Sequence, residues 1–292
     1  MASKQSISGL KTLGAWCRLL RLPALFTVPG DLLAGAVLAG LSPWEQPLRI
    51  PAVMCAYLFG MVLNDCWDLP RDRERNPQRP LPQGQISLRA AWTLCALLAG
   101  ASIACMPGIP ILMLLLLIVL YTLSKTRVPF LGLLFMALCR SAALWLGGGA
   151  AWPPGQELRA GMYLWAAWTL LLSWIGRLPP RKEPRPLLAL VVFLLPLAGF
   201  MLLSGAEVQH LQAELRILAI FPAVFWIWLS AGFSRGILKG EIPPGAMMGK
   251  AMRLLIWMQA TVLALNSHPA EAMGLMLLTG PMTLLARKVM VD

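Results

Sequence analysis

Residues 64–87 read NDCWDLPRDRERNPQRPLPQGQIS, a polar, charge-dense stretch set between two long apolar runs. Asn64, Asp65, Asp68 and Asp72 supply side-chain oxygens, and Arg71, Arg73, Arg75 and Arg79 supply cationic donors. Beyond Asp72 the next aspartate is Asp292. Asn64, Asp68 and Asp72 recur at a spacing that places them on one face of a helix. Pro70 stands between the last two. Proline removes a backbone donor and clashes with the preceding turn, so the helix is expected to kink or end there and to set Asp72 apart.

The surroundings decide the fold class. The chain has 292 residues, 58% of them hydrophobic and 13% charged, with a mean hydropathy of +0.68. Repeated apolar runs of about 18 or more residues predict many membrane-spanning helices. Alternation at period two is absent, which argues against an outer-membrane barrel. Helices are expected at about 20–40, 48–68, 87–106, 109–125, 130–150, 160–177, 186–204, 211–235, 246–265 and 270–288. The last two can also be read as one broken unit, so nine or ten spans are open. This is an all-α, polytopic bundle forming a single integral membrane domain over residues 1–292.

Net charge is +12. In a soluble protein that would suggest nucleic acid. Here the basic residues sit in short loops between apolar runs, which points to the lipid bilayer and excludes nucleic acid as a partner. With a cytoplasmic N-terminus, all 25 Lys and Arg residues except Arg49, Arg140, Arg159 and Arg216 fall at cytoplasmic ends. The expected location is a bacterial inner membrane, with residues 64–87 facing the cytoplasm. The six cysteines lack metal-type spacing and read as small core residues. Lys4, Lys11, Arg18 and Arg21 precede a first helix long enough to stay in the membrane, which argues against a cleaved signal peptide.

Hard oxygen ligands suit Mg2+, which takes one or two carboxylates and completes its shell with water and phosphate oxygens. Arginines alongside can grip a phosphate bidentately. Together these groups describe a magnesium-diphosphate site at the mouth of a membrane helix, with Asn64, Asp68 and Asp72 as the metal ligands. The stretch resembles the first aspartate-rich motif of the UbiA superfamily of intramembrane prenyltransferases. That motif is an N-D-x-x-D-x-x-x-D pattern followed by an arginine-proline turn and a glycine, here Arg79-Pro80-Leu81-Pro82 and Gly84. The residues LPALFTVPGDLLAG at 22–35 and Cys139-Arg140 look like the EboC branch of that superfamily. The resemblance implies nine helices around a central cavity and Mg2+-assisted transfer of an isoprenyl group from a prenyl diphosphate to an acceptor.

A second loop, Tyr121 to Pro129 with Gly132 following, resembles the superfamily's tyrosine, lysine-arginine, proline and glycine pattern. Alone it is an ordinary positive-inside loop; beside the first motif it reads as a cationic loop that pairs with diphosphate. The resemblance makes Asp68, Asp72 and Lys125 candidate catalytic groups. It makes Asn64, Asp65, Arg71, Arg75, Arg79, Tyr121 and Arg127 candidate substrate contacts, and the charge of the loop that follows helix six adds Arg177. Asp31 and Arg140 lie at similar depth inside the membrane, where charges are costly and usually paired or functional. They form a structural salt bridge, line the acceptor pocket, or do both. Pro29 and Gly30 suggest a local break in the helix beside Asp31.

One departure is plain. The superfamily carries a second aspartate-rich motif between helices six and seven. Here that loop, 173–185, offers Arg177, Arg181, Lys182 and Arg185 with Glu183 as its one acid. A cationic loop can neutralise diphosphate in place of a second metal. The same departure fits a polyprenyl-lipid binding or transport protein that has lost catalysis. A CDP-alcohol phosphotransferase would need a spaced Asp-Gly and Ala-Arg pattern, which this chain lacks. A secondary transporter is disfavoured because only Asp31 and Arg140 are deeply placed charges.

Overall fold

The computed structural model describes residues 13–178, 183–203, 213–241 and 244–289, and among these every regular element is an α-helix. They are α1 (Leu13–Leu19), α2 (Leu22–Leu25), α3 (Val28–Leu38), α4 (Arg49–Arg75), α5 (Leu88–Cys105) and α6 (Ile109–Ser124). Then come α7 (Pro129–Gly147), α8 (Gln156–Ile175), α9 (Pro186–Leu203), α10 (Ala213–Leu238), α11 (Pro244–Leu265) and α12 (Pro269–Val289). Each apolar run expected to be helical is helical, because lipid leaves the backbone no partners outside the segment. The last two are separate helices, divided at Ser267, whose φ is 64°. Among the described residues four stretches, α4, α5, α7 and Ile220–Leu238 of α10, are long and apolar enough to cross a membrane. A fifth counts if the first bent pair is one span. Spans such as α6, with 16 residues, are shorter than the roughly 20 that a full crossing needs.

The helix expected to break beside Pro29 does so: α2 ends at Leu25 and α3 begins at Val28. A sharper bend lies upstream, where Leu13–Leu19 and Leu22–Leu38 meet at 53° and Arg21 adopts φ 47°. Pro29 is the second residue of α3, where its missing N–H costs no helical bond. The ending expected at Pro70 needs correction, since α4 runs on to Arg75. Tertiary anchors hold the turn beyond the proline: Leu69 is buried, and the Asp72 carboxylate accepts from Asn76 and Arg79.

The chain divides into two compact units, one holding residues up to Val28, Leu48–Gly132 and the chain from Gly280, the other Pro29–Pro47 and Leu133–Thr279. In the first, Ala15, Leu19, Val62, Cys66, Leu69, Leu81, Ile86, Ala91 and Cys95 form one buried cluster. Cys66 and Leu69 thus anchor the motif's apolar side, and all six cysteines are free thiols. The chain turns after α4 through Gly84, at φ 70°, and Ser87 caps α5 by accepting from the Ala90 N–H at 3.2 Å.

In the second unit glycines bring backbones together. A Cβ on Gly35 would stand 1.9 Å from the Leu144 carbonyl oxygen, and one on Gly147 2.2 Å from that of Leu32. No side chain fits between α3 and α7 at those points.

Candidate functional site

The cluster is built at the polar end of α4. Asn64 and Asp65 are buried, as is Asp72. Gly60, one turn earlier, lets α6 approach: a Cβ there would meet Ile118 Cγ2 at 2.9 Å. That approach brings the end of α6 to the face of α4. Lys125, the C-cap of α6, donates from Nζ to Asp68 Oδ2 at 2.5 Å and to Asn64 Oδ1. Its side chain is 10% exposed, so this is a shielded ion pair. Burial pushes the Lys125 ammonium below the ordinary lysine range, with Asp68 pulling in the opposite direction. The Tyr121 ring, one turn back on α6, lies 5.8 Å from Nζ.

The neighbouring carboxylates have their own cations. Asp65 Oδ1 accepts from Arg21 Nη2 at 3.0 Å and lies 3.6 Å from Arg79 Nη1. Asp72 Oδ2 accepts from Arg79 Nη1 at 2.6 Å, and Asp72 Oδ1 from Asn76 Nδ2 at 2.8 Å. Arg79 therefore bridges two carboxylates a helical stride apart. The spacing groups Asn64, Asp68 and Asp72 on one face, while the pairing divides them: Asn64 and Asp68 share Lys125, and Asp72 is engaged by the turn that follows it. Arg71, Arg75 and Arg127 are exposed, and no ion pair among the described residues joins them to this network. Arg21 and Asn76 are members that the sequence reading missed. Arg21 was visible only as one of several basic residues before the first span.

Asp31 and Arg140 belong to the second unit and pair directly, Nε to Oδ2 at 2.7 Å. Asp31 is fully buried. Its Oδ1 accepts from Trp165 Nε1 at 2.7 Å and from Gln259 Nε2 at 2.6 Å. Four helices, α3, α7, α8 and α11, thus converge on one carboxylate. Gly30 leaves room for the Gln259 side chain, since a Cβ there would stand 2.2 Å from Gln259 Oε1. In the same unit Arg177 is exposed just after α8, and the Arg185 N–H donates to the Ile237 carbonyl at 3.4 Å. Arg181, Lys182 and His210 lie outside the described residues.

No group of three His, Cys, Asp or Glu side chains among the described residues forms a ready metal nest. What the first unit offers is a carboxamide oxygen and a carboxylate oxygen converging on one ammonium. That ammonium sits at the point where the two oxygens meet. Two hard oxygens with the remaining shell left to water and phosphate is a donor set that fits a single Mg2+.

Helical membrane proteins with an oxygen- and arginine-rich cluster at the end of a long helix form the class that this fold and site define. Within it, the chain matches the UbiA prenyltransferase family over residues 25–176 and belongs to that family. Its apolar helices accordingly make it an integral membrane protein. It is 32% identical over 115 residues to the digeranylgeranylglyceryl phosphate synthase of Methanococcoides burtonii, across 35% of this chain and 41% of that protein. It is 25% identical over 154 residues to the bacteriochlorophyll synthase 34 kDa chain of Chloroflexus aurantiacus, across 47% and 49%. The match therefore spans less than half the length of these curated relatives. In structure it is similar to a UbiA homolog from Archaeoglobus fulgidus bound to GPP and Mg2+. That similarity has a TM-score of 0.53 and 17% identity, covering 87% of this chain and 99% of the other.

Proposed function

We propose that the protein is a membrane prenyltransferase that moves an isoprenyl group from a prenyl diphosphate to an acceptor with Mg2+ assistance. The observation that carries this is the convergence of Asn64 Oδ1 and Asp68 Oδ2 on the Lys125 ammonium, ringed by Arg21 and Arg79. Asn64 and Asp68 would hold the metal, which when bound supplies charge neutralisation for the departing diphosphate. Asp72 keeps Arg79 aimed at the cluster, and Asp65 does the same for Arg21. Lys125 and Arg79 neutralise the leaving group as the allylic carbon–oxygen bond breaks and its electron pair passes to diphosphate. The carbon then bonds the acceptor nucleophile, which releases its proton. Arg71, Arg75 and Arg127, with the Tyr121 ring beside Lys125, complete the diphosphate surroundings in this reading. The ion pair to Arg140 and the two hydrogen bonds on Oδ1 support a structural task for the Asp31–Arg140 pair over acceptor binding.

We place the protein in a bacterial inner membrane as one membrane domain with a cytoplasmic N-terminus, on the distribution of basic residues, and in the EboC branch on residues 22–35. The loop around Glu183, with its single acid, favours one alternative, a polyprenyl-lipid binding or transport protein without turnover. Incubating purified protein with radiolabelled geranyl diphosphate, Mg2+ and a membrane lipid extract separates the two. A labelled lipid product supports the enzyme. Tight binding without product over many hours supports the carrier, and affinity equal with Mg2+ and with EDTA removes the metal from both.

A further inference from the structure

Among the described residues Asp65, Asp68 and Asp72 pair with Arg21, Lys125 and Arg79, three charges against three, before any ligand arrives. We propose that Lys125 is a tethered counter-ion that occupies the divalent-cation position on Asn64 and Asp68, and that it must swing away for the metal to enter. The inference rests on the proposed function and deepens it.

The geometry leaves no room for both cations. Mg2+ sits about 2.0–2.1 Å from its oxygens, so an ion bound to Asn64 Oδ1 and Asp68 Oδ2 would fill the volume that Nζ fills. The backbone of Lys125 cannot carry the side chain off. Its N–H donates to the Tyr121 carbonyl at 3.0 Å, and Gly132 is pressed against it so closely that a Cβ would stand 2.6 Å from Lys125 Cα. Only the flexible four-carbon stem can move.

Charge then sets the order of binding. Metal alone would add two positive charges to a balanced cluster and strand an ammonium. Diphosphate alone would add about three negative charges beside three carboxylates. Entering together, the two nearly cancel, and the displaced ammonium meets a phosphate oxygen. Divalent cation and diphosphate are therefore expected to bind as partners, and the closed lysine weakens binding of metal alone.

Two measurements on the full chain in nanodiscs test this. The first is pulse acetylation by an amine-reactive reagent, read by mass spectrometry. Lys125 is expected to be protected in EDTA and to label about tenfold faster in saturating Mg2+, while exposed Lys239 keeps its rate. Adding inorganic diphosphate to the Mg2+ sample should restore protection. The second is Mn2+ binding by electron paramagnetic resonance without diphosphate. Lys125→Gln should bind Mn2+ about tenfold more tightly than the parent protein. Lys125 labelling that ignores saturating Mg2+, or a Lys125→Gln variant whose Mn2+ affinity is equal or weaker, overturns the inference and leaves the proposed function standing. If neither protein binds Mn2+, the inference falls together with the metal role on which it rests.

Discussion

Lys125 is charged only as long as its surroundings allow, and burial is the largest influence on it. Because the folded state lowers its proton affinity, the unfolded chain binds more protons across the window between the lowered value and the ordinary lysine one. This group alone therefore makes folding more favourable as pH rises through that window, while deprotonation would remove a positive charge from the proposed diphosphate site. Diphosphate affinity is expected to decline at a lower pH than an ordinary lysine would give. Lys125→Arg, with a guanidinium that stays protonated, should flatten that alkaline limb even if its affinity at neutral pH is reduced. A pH titration of inorganic diphosphate binding to both proteins checks this, and identical alkaline limbs would exclude Lys125 as the titrating group. Gly132→Ala acts on the same residue through the backbone. Its Cβ would press on Lys125 Cα and Cβ, at 2.6 and 2.9 Å. A loss of about 1–3 kcal/mol is expected from such overpacking, with weaker diphosphate binding; a thermal melt and a binding curve read the two effects separately.

At the scale of elements, Asp31 is the point where α3, α7, α8 and α11 meet, and its partners decide how it responds to substitution. Removing either charge of a buried pair typically costs about 3–5 kcal/mol, because the other is left unpaired. A simple pair would be rescued by exchanging its charges. Here the exchange should fail, since Trp165 and Gln259 would still point donors at position 31, now occupied by a cation. Asp31→Asn combined with Arg140→Met is expected to retain more stability than either single change, and a double-mutant cycle on melting temperature checks it. Rescue by charge exchange would show that the two donors contribute little. The pairing of Asp31 with Arg140 was legible because two charges at equal depth in lipid need each other. The helices were legible for a related reason: long apolar runs in a bilayer have one way to satisfy their backbones. Hydrogen bonds that reach 44, 134 or 228 residues along the chain, as those of Arg21, Trp165 and Gln259 do, leave no periodic trace. Pro70 misled only as to where the helix ends. The rule about proline is correct for an isolated helix, but the buried Leu69 and the Asp72 contacts outweigh it here.

For the whole molecule, the distribution of basic residues predicts which side of the membrane carries the chemistry. Gln78 is exposed in the turn after α4, and all six native cysteines are free thiols, so a single cysteine at position 78 requires a cysteine-free background. It should react with a membrane-impermeant maleimide only when the cytoplasmic face is opened; labelling from the outer face alone would reverse the topology. The second loop of interest, 177–185, raises the charge question for the complete protein. A diphosphate brings about three negative charges, and their redistribution onto the leaving group must be balanced. In the proposed site one Mg2+ on Asn64 and Asp68 would supply part of that balance. No second aspartate cluster is present to hold another ion, since Glu183 is the only acid in this loop. Arg177, Arg181, Lys182 and Arg185 instead offer fixed positive charge that needs no ion and, for the arginines, does not titrate at ordinary pH. If they serve catalysis, Arg177→Ala with Arg181→Ala should lower turnover about tenfold or more, while Glu183→Ala changes it little, and metal titration should show one tight divalent ion per chain. A loop that only orients the chain in the membrane predicts full turnover in every correctly inserted variant. Glu183→Ala abolishing activity while the arginine variants remain active would make Glu183 a ligand, and the exchange of metal for arginine would be wrong.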